Sequence, residues 1–113
     1  MTHAELNGEL ALPAGDPLDR IVARAVFGHL VGPLRYSTSI STAWRVVSEM
    51  NRRGRGLYLV ERYDRGTKTY LYEASFFSRE CGPLSRHVLK AEAETAPLAI
   101  CRAALRALWE GQP

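Results

Sequence analysis

The sequence predicts an α+β domain of α/β/α-sandwich type, with elements in the order α-α-β-β-β-α and a mainly antiparallel sheet covered by helices. Three observations carry this. Apolar residues recur three and four apart in residues 16–28, 39–51 and 96–109. Between them the pattern changes to alternation at a spacing of two, over 57–77 and 86–94. A helix places every third or fourth side chain on one face and a strand every second. Glycine, proline and short polar residues then mark the borders.

Each element follows from its residues. Residues 1–15 hold Asn7, Gly8, Pro13 and Gly15 with weak periodicity and read as a flexible leader ahead of a single domain over 16–110. Asp16 is positioned to cap the first helix, Pro17 falls where its missing N–H costs nothing, and Leu18, Ile21, Val22, Ala25 and Val26 form its stripe. Gly28 and Gly32-Pro33 bracket its exit. The hydroxyls of Ser37, Thr38 and Ser39 are candidate caps for the second helix. Its expected core face is Ile40, Ala43, Trp44, Val47 and Met50, and Asn51-Arg52-Arg53-Gly54 ends it. On its outer face Glu49 is four residues from both Arg45 and Arg53, a spacing that supports ion pairs.

Leu57–Tyr63 and Lys68–Phe77 read as a hairpin around Asp64-Arg65-Gly66, and Arg86–Glu94 as a third strand. Thr95 caps the last helix and Pro97 lies in its first turn. Leu98, Cys101, Leu105 and Leu108 form its stripe, widened by Ile100, Ala104 and Trp109, with Arg102 and Arg106 on a polar side.

Composition narrows the function classes. The chain has 113 residues, 46% apolar and 24% charged. That is the length of about one domain and a globular composition. No run approaches the roughly 20 apolar residues that span a bilayer. The start has neither a basic nor an apolar signal region, so a cytoplasmic location is expected. Net charge is +3, from 13 arginines and 2 lysines against 12 acidic residues. Seven of the basic residues fall between Arg45 and Lys68. This is a mild bias toward an anionic partner, which a solvated surface also explains.

The residue types of known chemistries do not assemble. His3, His29 and His87 lack the spacing of a zinc motif, and no metal or cofactor is expected. Cys81 and Cys101 form no CxxC pair; Cys101 sits in an apolar helical pattern and reads as a buried small hydrophobe. A Cys81–His87 nucleophile pair has a permissible spacing but needs a held imidazole and a third orienting group. No phosphate-loop or nucleophile-elbow motif occurs, and Arg53-Gly54-Arg55-Gly56 lacks the strand–loop–helix order of one. Glu61 with Glu73, and Glu92 with Glu94, are the carboxylate pairs to test. No catalytic residue is expected.

Two stretches carry a resemblance. Tyr36-Ser-Thr-Ser-Ile-Ser-Thr-Ala-Trp-Arg-Val-Val and Glu94-Thr-Ala-Pro-Leu-Ala-Ile-Cys-Arg-Ala-Ala-Leu look like the hallmark segments of the phage ABA sandwich domain, and Asp16–Ala23 is similar to that family's opening helix. The resemblance implies a small α/β/α sandwich encoded by a phage or prophage, and no catalytic residues. Where the family commonly has Met or Gly-Trp near the end of the first helix, this chain has Val26-Phe27-Gly28-His29.

The expected function is therefore a non-catalytic phage accessory protein in the host cytoplasm. It acts by protein binding or by self-association as a homo-oligomer, without membrane contact. The alternative is binding or sequestration of a small anionic molecule such as a nucleotide signal. Its candidate residues are Arg52, Arg53 and Arg55, together with the helix starts at Thr38 and Thr95. Single-stranded nucleic acid, on the aromatics Tyr58, Tyr63, Tyr70, Tyr72, Phe76 and Phe77, is the distant alternative.

Overall fold

The computed structural model describes residues 12–28, 34–80 and 90–110. Their elements are α1 (Asp16–Val22, continued by a π-helical turn Ala23–Phe27), α2 (Ile40–Arg52), β1 (Arg55–Asp64), β2 (Thr69–Ser78), β3 (Lys90–Ala93) and α3 (Ala96–Glu110). The order is the expected α-α-β-β-β-α. The strands form one antiparallel sheet in the order β1-β2-β3. The part of the expected third strand before Lys90, and the residues Cys81, His3, His29 and His87, lie outside the described residues.

The start of α1 departs from expectation. Gly15, at φ 142°, is the capping position, and Asp16 is already helical. Asp19 is buried and serves as an acceptor for the next stretch of chain, taking the Ser37 N–H at 2.8 Å and the Ser37 hydroxyl at 2.6 Å. The same hydroxyl oxygen accepts the Gly15 N–H at 2.9 Å. A buried carboxylate needs such donors, and the donors in turn fix the entry to α2 against the entry to α1. Ser37 is thereby consumed, and Ser39 becomes the cap of α2, accepting the Thr42 N–H at 3.4 Å. Of the expected leader, residues 1–11 lie outside the described residues. Leu12 packs on the core and its carbonyl accepts from Arg102 at 3.0 Å, so residues 12–15 are fastened.

Helix α2 buries Ala43, Val46, Val47 and Met50. Ile40 and Trp44, expected in its core face, are 45% and 49% exposed. Val46 takes their place. At about 100° per residue the buried four form a narrow stripe, and Trp44 stands roughly 100° from its centre. Glu49 pairs with Arg52 and Arg53 rather than with Arg45.

Helix α3 is buried on most of its circumference: Leu98 through Cys101, Ala103 through Leu105, Ala107 and Leu108 are all inside. One side meets β2 and β3, and the other meets α2 and α1. Ala99, Ala103, Ala104 and Ala107 keep it thin enough for both. Its arginines are on the remaining side. Arg102 donates to the Glu92 carbonyl at 3.1 Å and Arg106 to the Lys90 carbonyl at 3.0 Å. Four helical residues rise about 6 Å and two strand residues about 6.6 Å, so arginines four apart match carbonyls two apart. They cover the outer edge of β3, a place where unpaired backbone otherwise invites another strand.

The register gives the sheet two unlike faces. Leu57, Leu59, Tyr72, Ala74, Phe76, Ala91 and Ala93 share the face that joins the helices in one core. Tyr63 and Tyr70 extend that face beyond the helices; they are 50% and 58% exposed, with ring centroids 5.2 Å apart. The opposite face carries Tyr58, Val60, Leu71 and Phe77, half-buried and outside that core. It also carries a cross-strand pair of like charges, Glu73 opposite Glu92. Arg62 bridges them, at 2.8 Å and 3.0 Å, and Lys90 stands 3.9 Å from Glu73.

Leu105 is fully buried in the middle of α3, between sheet and helices. Leu105→Ala is expected to lower unfolding free energy by roughly 2–5 kcal/mol, the range for a large buried aliphatic. Denaturant unfolding with an unchanged slope is the measurement.

Candidate functional site

Two basic residues of the chain's middle, Arg53 and Arg55, meet Arg79 at one end of the sheet. Helix α2 ends with the Arg53 N–H on the carbonyls of Glu49 and Met50, and Gly54, at φ 85°, turns the chain into β1. A left-handed conformation of this kind suits glycine. The hairpin register pairs Arg55 with Ser78, and the next rung is closed by Arg79 N–H to the Gly54 carbonyl at 3.1 Å. These residues, with Arg53 and Glu80, line an open recess of about 280 Å³.

The three arginines of the recess are held differently. Arg53 donates to the Val26 carbonyl at the end of the π-helical turn and, at 3.4 Å, to Glu49. Arg79 donates to the Asn51 side-chain oxygen, and the Asn51 amide donates back to the Val47 carbonyl at 2.9 Å. The Arg55 side chain has neither hydrogen bond nor ion pair among the described residues.

The other candidates stand elsewhere. Arg52 is exposed and bonded to Glu49 at 2.5 Å and 3.0 Å. The Arg52 hydrogen bond, followed by its charge and the Arg53 bond, holds the Glu49 carboxyl below its ordinary value. Thr38 is exposed between Ser37 and the cap of α2. Thr95 caps α3, accepting the Leu98 N–H at 3.4 Å. Neither threonine lines the recess. Arg79 is the residue that sequence reasoning missed. Its signal was the hairpin itself: paired residues sum to 133 (55 and 78), so 79 stands across from 54.

Among the described residues no group of three metal-ligating side chains occurs. Cys101 is fully buried, and burial first, with the Asp19 charge second, pushes its thiol far above the usual range. The carboxylate pairs resolve into other duties. Glu92 is bound to Arg62, and Glu61 and Glu73 lie on opposite faces of the sheet.

The phage ABA sandwich domain model matches residues 20–105, from the first turns of α1 to the middle of α3. The chain belongs to that family. Its hallmark segments are now placed: the first holds the Ser37 anchor and the cap of α2, and the second is the cap and body of α3. The recess lies within the matched span, between the two segments. No curated protein matches the chain, and no solved structure does. No helix among the described residues is long and apolar enough to cross a membrane.

A sealed thiol is slow to ionise and slow to be reached. In a Cys81→Ser background, Cys101 is expected to resist alkylation at mildly alkaline pH in the folded protein and to react fully in denaturant. Mass spectrometry before and after unfolding reads this out.

Proposed function

We propose that this phage-family protein is a non-catalytic accessory protein that works by protein contact, first of all with a second copy of itself, in the host cytoplasm. The observation that carries the reading is the unlike pair of sheet faces. One face is merged with the helices, while the other holds Val60, Leu71 and Phe77 half-buried and outside that core. Partly covered apolar side chains on one sheet face favour a partner that removes the rest of their surface from water.

A second copy suits this face electrostatically. The charges at its centre are balanced two against two, Arg62 and Lys90 with Glu73 and Glu92. Two such faces meet without a net like-charge repulsion, and a two-fold axis makes the same patch serve both subunits. The fully buried hydroxyl of Ser75, which finds no hydrogen-bond partner among the described residues, also belongs to this face.

Sedimentation equilibrium tests the reading. The wild-type chain is expected to be a dimer or larger closed oligomer at tens of micromolar. Val60→Lys is expected to shift it to monomer, with its circular dichroism preserved. A wild-type monomer at high micromolar concentration overturns the proposal.

A further inference from the structure

The recess at the end of the sheet has features that carriage of the fold does not require. Its lining contains three arginines against one glutamate, Glu80, a local excess of two positive charges. Arg53 and Arg79 are each tethered through one terminal nitrogen, to the Val26 carbonyl and to the Asn51 oxygen. Tethering fixes the guanidinium and lowers the entropy lost when its remaining N–H groups bind something else. Arg55, by contrast, has no side-chain partner among the described residues, although it is partly buried at the start of β1. Neither Arg55 nor Arg79 forms an ion pair among the described residues. The Arg55 guanidinium is therefore available to an acceptor from outside the chain.

We propose that this recess binds a small phosphate-bearing molecule, with Arg55 and Arg79 gripping the phosphate oxygens and Arg53 supplying charge behind them. Planar guanidinium forks match phosphate oxygens two at a time. The recess is large enough for a phosphate group and the first part of its carrier. The end of α2 is a carbonyl end, whose dipole opposes an anion. Here those carbonyls are already occupied: the Arg53 N–H takes Glu49 and Met50, the Gly54 N–H takes Asn51, and the Asn51 amide takes Val47. The anion therefore meets guanidinium groups and not bare carbonyl oxygens. Arg52, one residue from the recess, bonds both oxygens of Glu49, which stands farther from Arg53 at 3.4 Å, and takes no part.

Calorimetry with the full chain is the test, using pyrophosphate, a nucleoside monophosphate and an oligodeoxynucleotide as separate probes. Saturable binding of the two small probes is expected to persist at about 0.15 M ionic strength, where exposed charges are largely screened. Arg55→Gln is expected to weaken it at least about tenfold, and Arg79→Gln similarly. Arg55→Lys, which keeps the charge and removes the fork, is expected to lie between Arg55→Gln and wild type. Arg52→Gln is expected to leave binding unchanged. Thermal unfolding of each variant shows that it is folded; should Arg79→Gln unfold, the two Arg55 variants decide. Binding that vanishes at that ionic strength, that is unchanged in Arg55→Gln, or that is confined to the oligonucleotide overturns the proposal. The oligomer test uses Val60, on the other face of β1, so the failure of one proposal is distinguishable from the failure of the other.

Discussion

The structure depends on one helix having two sides to bury. Helix α3 lies with the sheet against one side and α1 and α2 against the other, and almost every side chain between Leu98 and Leu108 is inside. A helix apolar nearly all round has no stable place at a surface. Once it is central, the rest follows. The strands must offer it their Leu57, Leu59, Ala74, Phe76, Ala91 and Ala93 face, and α2 must offer Ala43, Val46, Val47 and Met50. Helix α1 reaches the core by packing on helices rather than on the sheet. The alanines of α3 allow both neighbours to approach closely, which explains why a short chain supports two contact layers around a single helix.

Three of the arginines solve a backbone problem. Arg53 satisfies Val26, Arg102 satisfies Glu92 and Leu12, and Arg106 satisfies Lys90, all main-chain carbonyls. Carbonyls at helix ends and sheet edges have no partner within their own element. A long side chain with five donors reaches them across the gaps between elements, where lysine offers a single point of charge. This accounts for arginine where a solvated surface would serve as well with lysine.

Much of this was legible in the sequence, and the reasons for the misses are physical. The periods of three to four and of two located all six elements, because they report which residues share a face. Thr95 and the fate of Cys101 were legible because a cap and an apolar helical position are local facts. Trp44 was misread because size and hydrophobicity outweighed angle: Val46, two residues on, has the better angle and is the one buried. Asp19 lies in the first turn of α1, yet its partner is 18 residues away, a distance that periodicity cannot cross. The recess failed for the same reason. Arg53 and Arg55 were visible as a pair, but Arg79 joins them only through the hairpin register, and Thr38 and Thr95 were drawn in by their helix starts alone.

The two proposed surfaces are linked by geometry at consecutive rungs of one hairpin. Arg55–Ser78 belongs to the recess, and Gly56–Phe77, the next rung, belongs to the open face. A strand sends neighbouring side chains to opposite faces, so one residue of separation divides the two surfaces. The junction is Gly56. A Cβ there would stand 2.7 Å from the Phe77 ring, which means that the ring lies directly over the backbone that leads into Arg55. Aromatic cover of this kind replaces the side chain that glycine lacks and keeps the strand paired to its end. The ring thus faces the surface proposed for a second subunit while it steadies the strand that carries Arg55.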